Sequence, residues 1–265
     1  MQFLDQLQRD GVMRNRVRIW FERYLGLVHS LAIYRFNPVR RIQSYRHYRQ
    51  FVGPGDLCFD IGAHAGDRVA TFLSLGAHVV AVEPLPDFMH FLNWLYHDHK
   101  RVILIEAAVE AVAGHRSMLV SNRTPAMSTI AHGWAQDVAA QQRFSNVCWN
   151  KQLRVKTLTL DDLIRDFGAP KFCKIDIEGS EAEALAGLTH PLESLSIEYV
   201  PARLDIVVAC LERLSSLGEY RFNICVGEGK KFQFMDWTRE RILSDTLCGL
   251  QSNDPTGDIY AVLQK

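Results

Sequence analysis

The sequence predicts an α/β fold, a doubly wound sheet with helices on both faces, on three observations. Leu57-Cys58-Phe59-Asp60-Ile61-Gly62-Ala63-His64-Ala65-Gly66 is an apolar run that ends in a carboxylate, followed by small residues and then helical spacing. It reads as a first strand, a tight turn and the next helix. Val79-Val80-Ala81-Val82-Glu83-Pro84 is a second apolar run closed by an acid, with a proline that stops the strand. Phe172-Cys173-Lys174-Ile175-Asp176-Ile177-Glu178-Gly179-Ser180-Glu181 repeats the pattern late in the chain. Ligands in such sheets sit outside the carboxyl ends of the strands, near the point where strand order reverses. The acids and glycines at those ends are therefore the site candidates.

The elements follow in order. Residues 1–52 read as a basic helical extension, with Pro38 as a break and aromatics interleaved. Gly53-Pro54-Gly55-Asp56 is a turn, and the core domain is placed at 53–265. A strand at 57–61 leads to a helix over 66–75 that Gly76 ends, then a strand at 78–83. Asp87 is the expected cap of a helix running to His99. Val102–Glu106 is a third strand that Ala107–Val112 continues; Gly114 turns and Arg116–Val120 returns. Residues 121–152 are polar and irregular in pattern, and a loop of this length in a compact domain is expected to work as a flap. Val155–Thr157 reads as a short strand and Thr159–Asp166 as a short helix. On the strand at 172–178, period-two alternation places Lys174, Asp176 and Glu178 on one face. Ser180 caps the helix after it, and Leu195–Glu198 is the next strand, again closed by an acid. A helix over 202–216, a strand at 221–226, a hairpin arm at Lys231–Met235 and a last strand at 258–263 complete the chain.

Whole-chain properties narrow the chemistry. The 265 residues carry zero formal net charge, 48% hydrophobic and 23% charged residues, as in a soluble globular protein. Residues 1–50 hold ten arginines against Asp5, Asp10 and Glu22, so they carry +7 and the remainder −7. An acidic core argues against nucleic acid as a partner. The spread arginines read as a solvated helix face, with peripheral membrane contact and a homodimer contact left open. No apolar stretch approaches about 18 residues, so no transmembrane segment is expected. Six cysteines without a Cys-x-x-Cys pair fit a reducing, cytoplasmic compartment and no zinc site.

The first turn has the form Asp-x-Gly-x-x-x-Gly, not Gly-x-Gly-x-x-Gly. A carboxylate ahead of the turn repels a pyrophosphate and favours a nucleoside that has no phosphate or carries a positive centre. S-adenosylmethionine is such a molecule. Glu83 follows the turn by about 20 residues, the spacing of a ribose-binding acid.

With Asp60-Ile-Gly-Ala-His-Ala-Gly66, Val82-Glu83-Pro84 and Lys174-Ile-Asp-Ile-Glu-Gly179 in hand, the chain resembles the FkbM family of S-adenosylmethionine-dependent methyltransferases. Thr159-Leu160-Asp161 and Ile197-Glu198 also look like family elements, and the resemblance covers about residues 53–200. It implies a Rossmann-like, seven-stranded class I methyltransferase sheet, S-adenosyl-L-methionine as cofactor, and methyl transfer to an oxygen of a sugar, glycan or secondary metabolite. It implies cofactor-binding roles for Asp60, Gly62, Ala63, His64, Gly66 and Glu83, with Glu106 as the nearest candidate for an adenine-side acid and Ser128 reaching the cofactor from the flap. Lys174, Asp176, Glu178 and Gly179 fall on the substrate side.

A hydroxyl acceptor needs a general base. Asp176 is the first candidate, with Lys174 beside it keeping the carboxylate ionised. Lys174 with a lowered pKa is the second, and His64 and His132 come next. Asp176, Glu178, Glu181 and Glu198 would suit an oxygen-rich magnesium site, though loose spacing leads us to expect no metal. A nicotinamide-dependent oxidoreductase and a binding module without catalysis are the rival readings.

Overall fold

The computed structural model describes residues 38–141, 144–145, 147–227 and 231–264. Residues 1–37 of the expected helical extension lie outside the described residues. After α1 (Pro38–Tyr48) come β1 (Leu57–Ile61), α2 (Asp67–Ser74), β2 (His78–Val82), α3 (Pro86–Tyr96) and β3 (Val102–Ile105) in simple alternation. The chain then leaves this pattern for β4 (Ala108–Val109), β5 (Gly114–Ser121), α4 (His132–Ala139) and β6 (Trp149–Leu158). It resumes with α5 (Leu160–Phe167), β7 (Phe172–Ile175), α6 (Glu181–Ala186), β8 (Ser194–Tyr199), α7 (Leu204–Leu217), β9 (Tyr220–Val226), α8 (Glu240–Cys248) and β10 (Gly257–Leu263).

Seven strands form the main sheet in the order β3-β2-β1-β7-β8-β10-β9. The five from β3 to β8 pair in parallel, and β10 runs antiparallel to β8 and β9. Strand order reverses between β1 and β7, so the crevice at their carboxyl ends is the switch point. Both faces are covered. Phe59, Ile61, Cys173 and Ile175 pack with Leu163, Leu185 and Leu211 of the helices on one side. Cys58 and Phe172 pack with Tyr48, Phe72 and Leu92 on the other. Phe51 and Val52 share this second core, so the described end of the extension is packed into the domain. Cys58, Cys173 and Cys210 are buried free thiols, and Cys225 is buried as well.

Period two along each strand carries a consequence for the site. Asp60 shares the face of Cys58, and Lys174 that of Phe172. Asp60 is registered with Lys174, Lys174 with Ser196, and Ser196 with Tyr260. One step further, Glu198 is registered with Asp258. Charged side chains from four strands therefore lie on one face of the sheet, toward its carboxyl-end crevice.

Several expectations are corrected. Ala107–Val112 does not continue β3; Ala108–Val109 pairs in parallel with β6, in a separate sheet of order β4-β6-β5. The return strand and its partner are longer than their patterns suggest, running 114–121 and 149–158. Their outer residues are exposed, so no apolar alternation marks them. Residues 121–152 are likewise not one irregular loop. Trp134, Ala135 and Val138 give α4 a buried face, too short for sequence periodicity to show. The strand expected over 172–178 stops at Ile175, because Glu178 (φ 54°) and Gly179 (φ 96°) are left-handed and break the alternation. Asp87 sits in the first turn of α3 behind Leu85 and Pro86 rather than at its cap. Lys231–Met235 does lie against β9, through the bridge of Cys225 to Phe232 and the Asn223 side chain on Phe234, but forms no strand, and the sequence pattern does not predict α8.

The Thr159-Leu160-Asp161 motif proves to be a helix start. Thr159 Oγ1 accepts the Asp162 N–H at 2.9 Å and Asp162 returns a bond to the Thr159 N–H at 3.1 Å. This capping box contributes about 1 kcal/mol. Asp161 accepts from the N–H and hydroxyl of Thr189 at 2.9 and 2.6 Å, tying α5 to the segment after α6.

Candidate active site

Two turns meet at the switch point. After β1, the Gly62 and Ala63 N–H groups donate to the Val82 carbonyl at 2.9 and 3.0 Å. Gly62 has φ 83°, and a Cβ there would fall 1.9 Å from the Asp176 carbonyl oxygen. No other residue fits, because the turn after β1 runs against the turn after β7. Gly66 starts α2 in the left-handed region with Leu92 packed against it. His64 (φ 47°) donates its N–H to Glu83 Oε2 at 2.8 Å, and Leu85 donates to Glu83 Oε1 at 2.8 Å. Glu83 thereby fixes the turns after both β1 and β2. Burial pushes its pKa up to about 7, while those two N–H groups pull the other way. The His64 ring packs on Phe88 with centroids 4.0 Å apart, and burial lowers its pKa to about 4, so it is neutral at pH 7.

The crevice has two lobes. The first, an open cleft of about 550 Å³, is walled by Phe88, Ala107, Ala108, Met118 and Ile130, with Glu83 as its buried acid. Ser128 lines it from the flap, its Oγ accepting the Ser121 N–H at 3.2 Å. The second, about 850 Å³, is lined by Asp60, Asp67, Arg68, Lys174, Asp176, Glu178, Glu198 and Asp258. Gly62, His64, Asp176 and Glu178 border both.

Lys174 organises the charged lobe. Only 1% of it is exposed, and its Nζ donates to Asp258 Oδ1 at 2.7 Å and lies 3.3 Å from Asp176 Oδ2. Burial disfavours the ammonium, but Asp176 and Asp258 outweigh it and hold the pKa well above the ordinary lysine range. The expectation of a lysine with a lowered pKa is thus corrected: Lys174 is a fixed cation between two carboxylates. Burial, chiefly, pushes the Asp60 pKa up to about 7, and Asp60 Oδ2 has no hydrogen-bond partner. Asp176, Glu178 and Glu198 bring ligand-type oxygens within 4.8 Å of one another, a spacing a divalent cation could accept. Burial, then Asp176 and other acids nearby, hold the Glu178 and Glu198 carboxyls well above the usual range.

The turn after β7 is braced from two sides. Glu181 Oε1 accepts the N–H of Ile177 at 3.1 Å and of Gly179 at 3.3 Å. Trp134 of α4 packs over Gly179, where a Cβ would lie 2.3 Å from the indole. Holding Glu178 left-handed costs on the order of 1–2 kcal/mol, and these contacts offset it.

A family model of the FkbM methyltransferase domain matches residues 60–232. The chain belongs to that family. Its members are S-adenosylmethionine-dependent methyltransferases, and the sheet above is the Rossmann-like class I sheet expected of them. No curated protein matches the chain in sequence. Among solved structures it is similar to a precorrin-6y C5,15-methyltransferase from Geobacter metallireducens, at 14% identity and TM-score 0.46 over 88% of this chain and 91% of that one. An O-methyltransferase from Bacillus cereus in complex with SAH matches at 12% identity and TM-score 0.45, over 93% and 90% of the two chains.

Of the site candidates, Asp60, Gly62, His64, Glu83, Ser128, Lys174, Asp176 and Glu178 line the crevice. Ala63 and Gly66 shape the turn behind it. Glu106 does not come to the site: it is exposed at the end of β3, and Ala107 and Ala108 face the cleft instead. His132 is exposed on α4, with Nε2 3.0 Å from the Ser117 carbonyl oxygen, and lines neither lobe. Sequence reasoning missed Arg68, Asp258 and Thr129. Asp258 stood at the head of the last predicted strand, but its place depends on β10 lying beside β8. No helix among the described residues is long and apolar enough to cross a membrane.

Proposed function

We propose that this family member transfers the methyl group of S-adenosylmethionine to a hydroxyl oxygen of a sugar, glycan or secondary metabolite. The observation that carries this reading is the meeting of an apolar lobe ending in a buried acid with a lobe of converging carboxylates, at the switch point of the sheet. The first lobe fits the cofactor's nucleoside. Phe88, Met118 and Ile130 offer apolar walls for a base, Ser128 closes it, and the Glu83 carboxylate keeps lone pairs for two ribose hydroxyls. Asp60, with its unpartnered oxygen, suits the cationic end. Gly62, Ala63, His64 and Gly66 let backbone close on it. Glu106 has no part in this reading.

When bound, the cofactor supplies an electrophilic sulfonium methyl, so the protein's task is alignment and proton acceptance. Asp176 borders both lobes, where it would accept the proton of the acceptor hydroxyl. Lys174 holds Asp176 in place through the ion pair at 3.3 Å. Glu178 and Glu198, whose carboxyls burial and neighbouring acids hold well above the usual range, are placed to hydrogen-bond neighbouring oxygens of the acceptor.

Calorimetric titration of S-adenosylmethionine tests the cofactor assignment, with NADH as control. Binding near −8 kcal/mol, equivalent to about micromolar Kd, that is lost in Asp60→Ala supports it. NADH binding in its place would transfer the chain to redox chemistry. A screen of sugar and glycan acceptors against loss of cofactor then tests the oxygen acceptor; methylation of a nitrogen or carbon centre only would overturn it.

A further inference from the structure

The turn after β7 is also held from outside the main sheet. Thr129 is 1% exposed, and its Oγ1 donates to the Glu178 carbonyl at 2.6 Å. The same hydroxyl accepts the Ala131 N–H at 2.9 Å, which fixes its orientation. Thr129 is in turn anchored to β5, exchanging backbone hydrogen bonds of 2.9 and 2.8 Å with Leu119. Its neighbours Ser128 and Ile130 line the apolar lobe beside it. One residue is thus part of the wall of the first lobe and a support of the carboxylates in the second. The bond falls on the carbonyl of Glu178, a non-glycine residue held at φ 54°. A left-handed glutamate relaxes when its supports are removed.

We propose that Thr129 is a positioning residue that couples the two lobes. A ligand filling the apolar lobe fixes the flap wall at 128–130, and the Thr129 hydroxyl passes that order to the Glu178 carbonyl. The carboxylates of Asp176 and Glu178 are then set before an acceptor arrives. Binding is accordingly ordered, cofactor first, with the coupling carried by reduced local motion. The proposal rests on reading the apolar lobe as the nucleoside site.

Hydrogen exchange on the full chain tests it, with S-adenosylhomocysteine as the probe and residues 176–181 as the readout. In the wild type and in Thr129→Ser, which keeps the hydroxyl, the probe slows exchange of the Ile177 and Gly179 amides by about tenfold. In Thr129→Val, at probe concentrations that saturate the variant, that slowing is lost. If Thr129→Val does not fold, Thr129→Ala gives the same contrast. Retained slowing in a folded variant without the hydroxyl overturns the coupling while leaving the cofactor site intact. Failure of the probe to bind the wild type overturns the reading of the apolar lobe, and the coupling with it.

Discussion

The two lobes of the crevice are built by opposite means. The apolar lobe takes its acid from Glu83, which is fixed by N–H groups 19 and two residues away. The charged lobe takes its central ion pair from Lys174 and Asp258, 84 residues apart, and its other acids from β1, β8 and the turn after β7. The first takes its acid from a motif of two adjacent parallel strands and the turns that follow them. The second exists only when β10 has inserted between β8 and β9. The acid of the apolar lobe is therefore set within about 25 residues of sequence, whereas the charged lobe depends on the whole sheet.

The largest effect should come from breaking the charged lobe. Lys174→Met leaves Asp258 and Asp176 without their buried partner and should cost roughly 3–5 kcal/mol. The expected result is a lower denaturant midpoint with an unchanged slope. An unmoved midpoint would mean that the lysine does not hold the lobe together.

On the apolar side, Glu83→Gln should weaken S-adenosylmethionine binding by about 1.5–3 kcal/mol, the usual share of hydrogen bonds to a charged group. Titration calorimetry reads this directly. Wild-type affinity in the variant would remove the ribose role and leave Glu83 as a backbone brace.

The border between the lobes is tested by Gly179→Ala. It meets both a left-handed φ of 96° and the Trp134 ring, and roughly 2 kcal/mol of stability should be lost. Thermal unfolding measures it, and a neutral result would show that α4 can move away from the turn.

A smaller effect should appear with pH. The Asp60 and Glu83 carboxyls are each raised to about 7, from ordinary values of 3.8 and 4.5. Between the unfolded and folded values the native state binds more protons, so ligand-free stability falls as pH rises through this window. A ligand that favours the charged forms releases protons on binding, and affinity should increase from pH 6 to 8. Calorimetry in buffers of different ionisation enthalpy reads the release, and Glu83→Gln should diminish it. Proton uptake on binding would reverse the sign of this account.

The smallest effect is expected at Glu106. Glu106→Ala should change cofactor affinity by less than about 0.5 kcal/mol, the usual range for an exposed surface substitution. A larger loss would place that acid at the adenine after all.

The parts legible in the sequence were those with a local signature. β1, β2, β7 and β8 are apolar runs stopped by an acid, glycine or proline, so the switch-point acids Asp60, Glu83, Asp176 and Glu198 could be read off directly. Of the second sheet only 116–120 and 155–157 were legible, since β4, β5 and β6 have mostly exposed or short pairings whose extent and partners only long-range register reveals. α4 and α8 carry too few turns for a periodicity to stand out.

By itself, the sequence determined the alternation of strands and helices, the turns after β1 and β2 and the acids at the strand ends. Each follows from side-chain size, period and backbone freedom over about ten neighbouring residues. Tertiary structure alone decided that Lys174 lies buried between two carboxylates, that Glu106 is exposed outside the crevice, and that Thr129 reaches the Glu178 turn. These depend on which groups share a buried space, and burial together with opposing charge, not residue type, sets a protonation state.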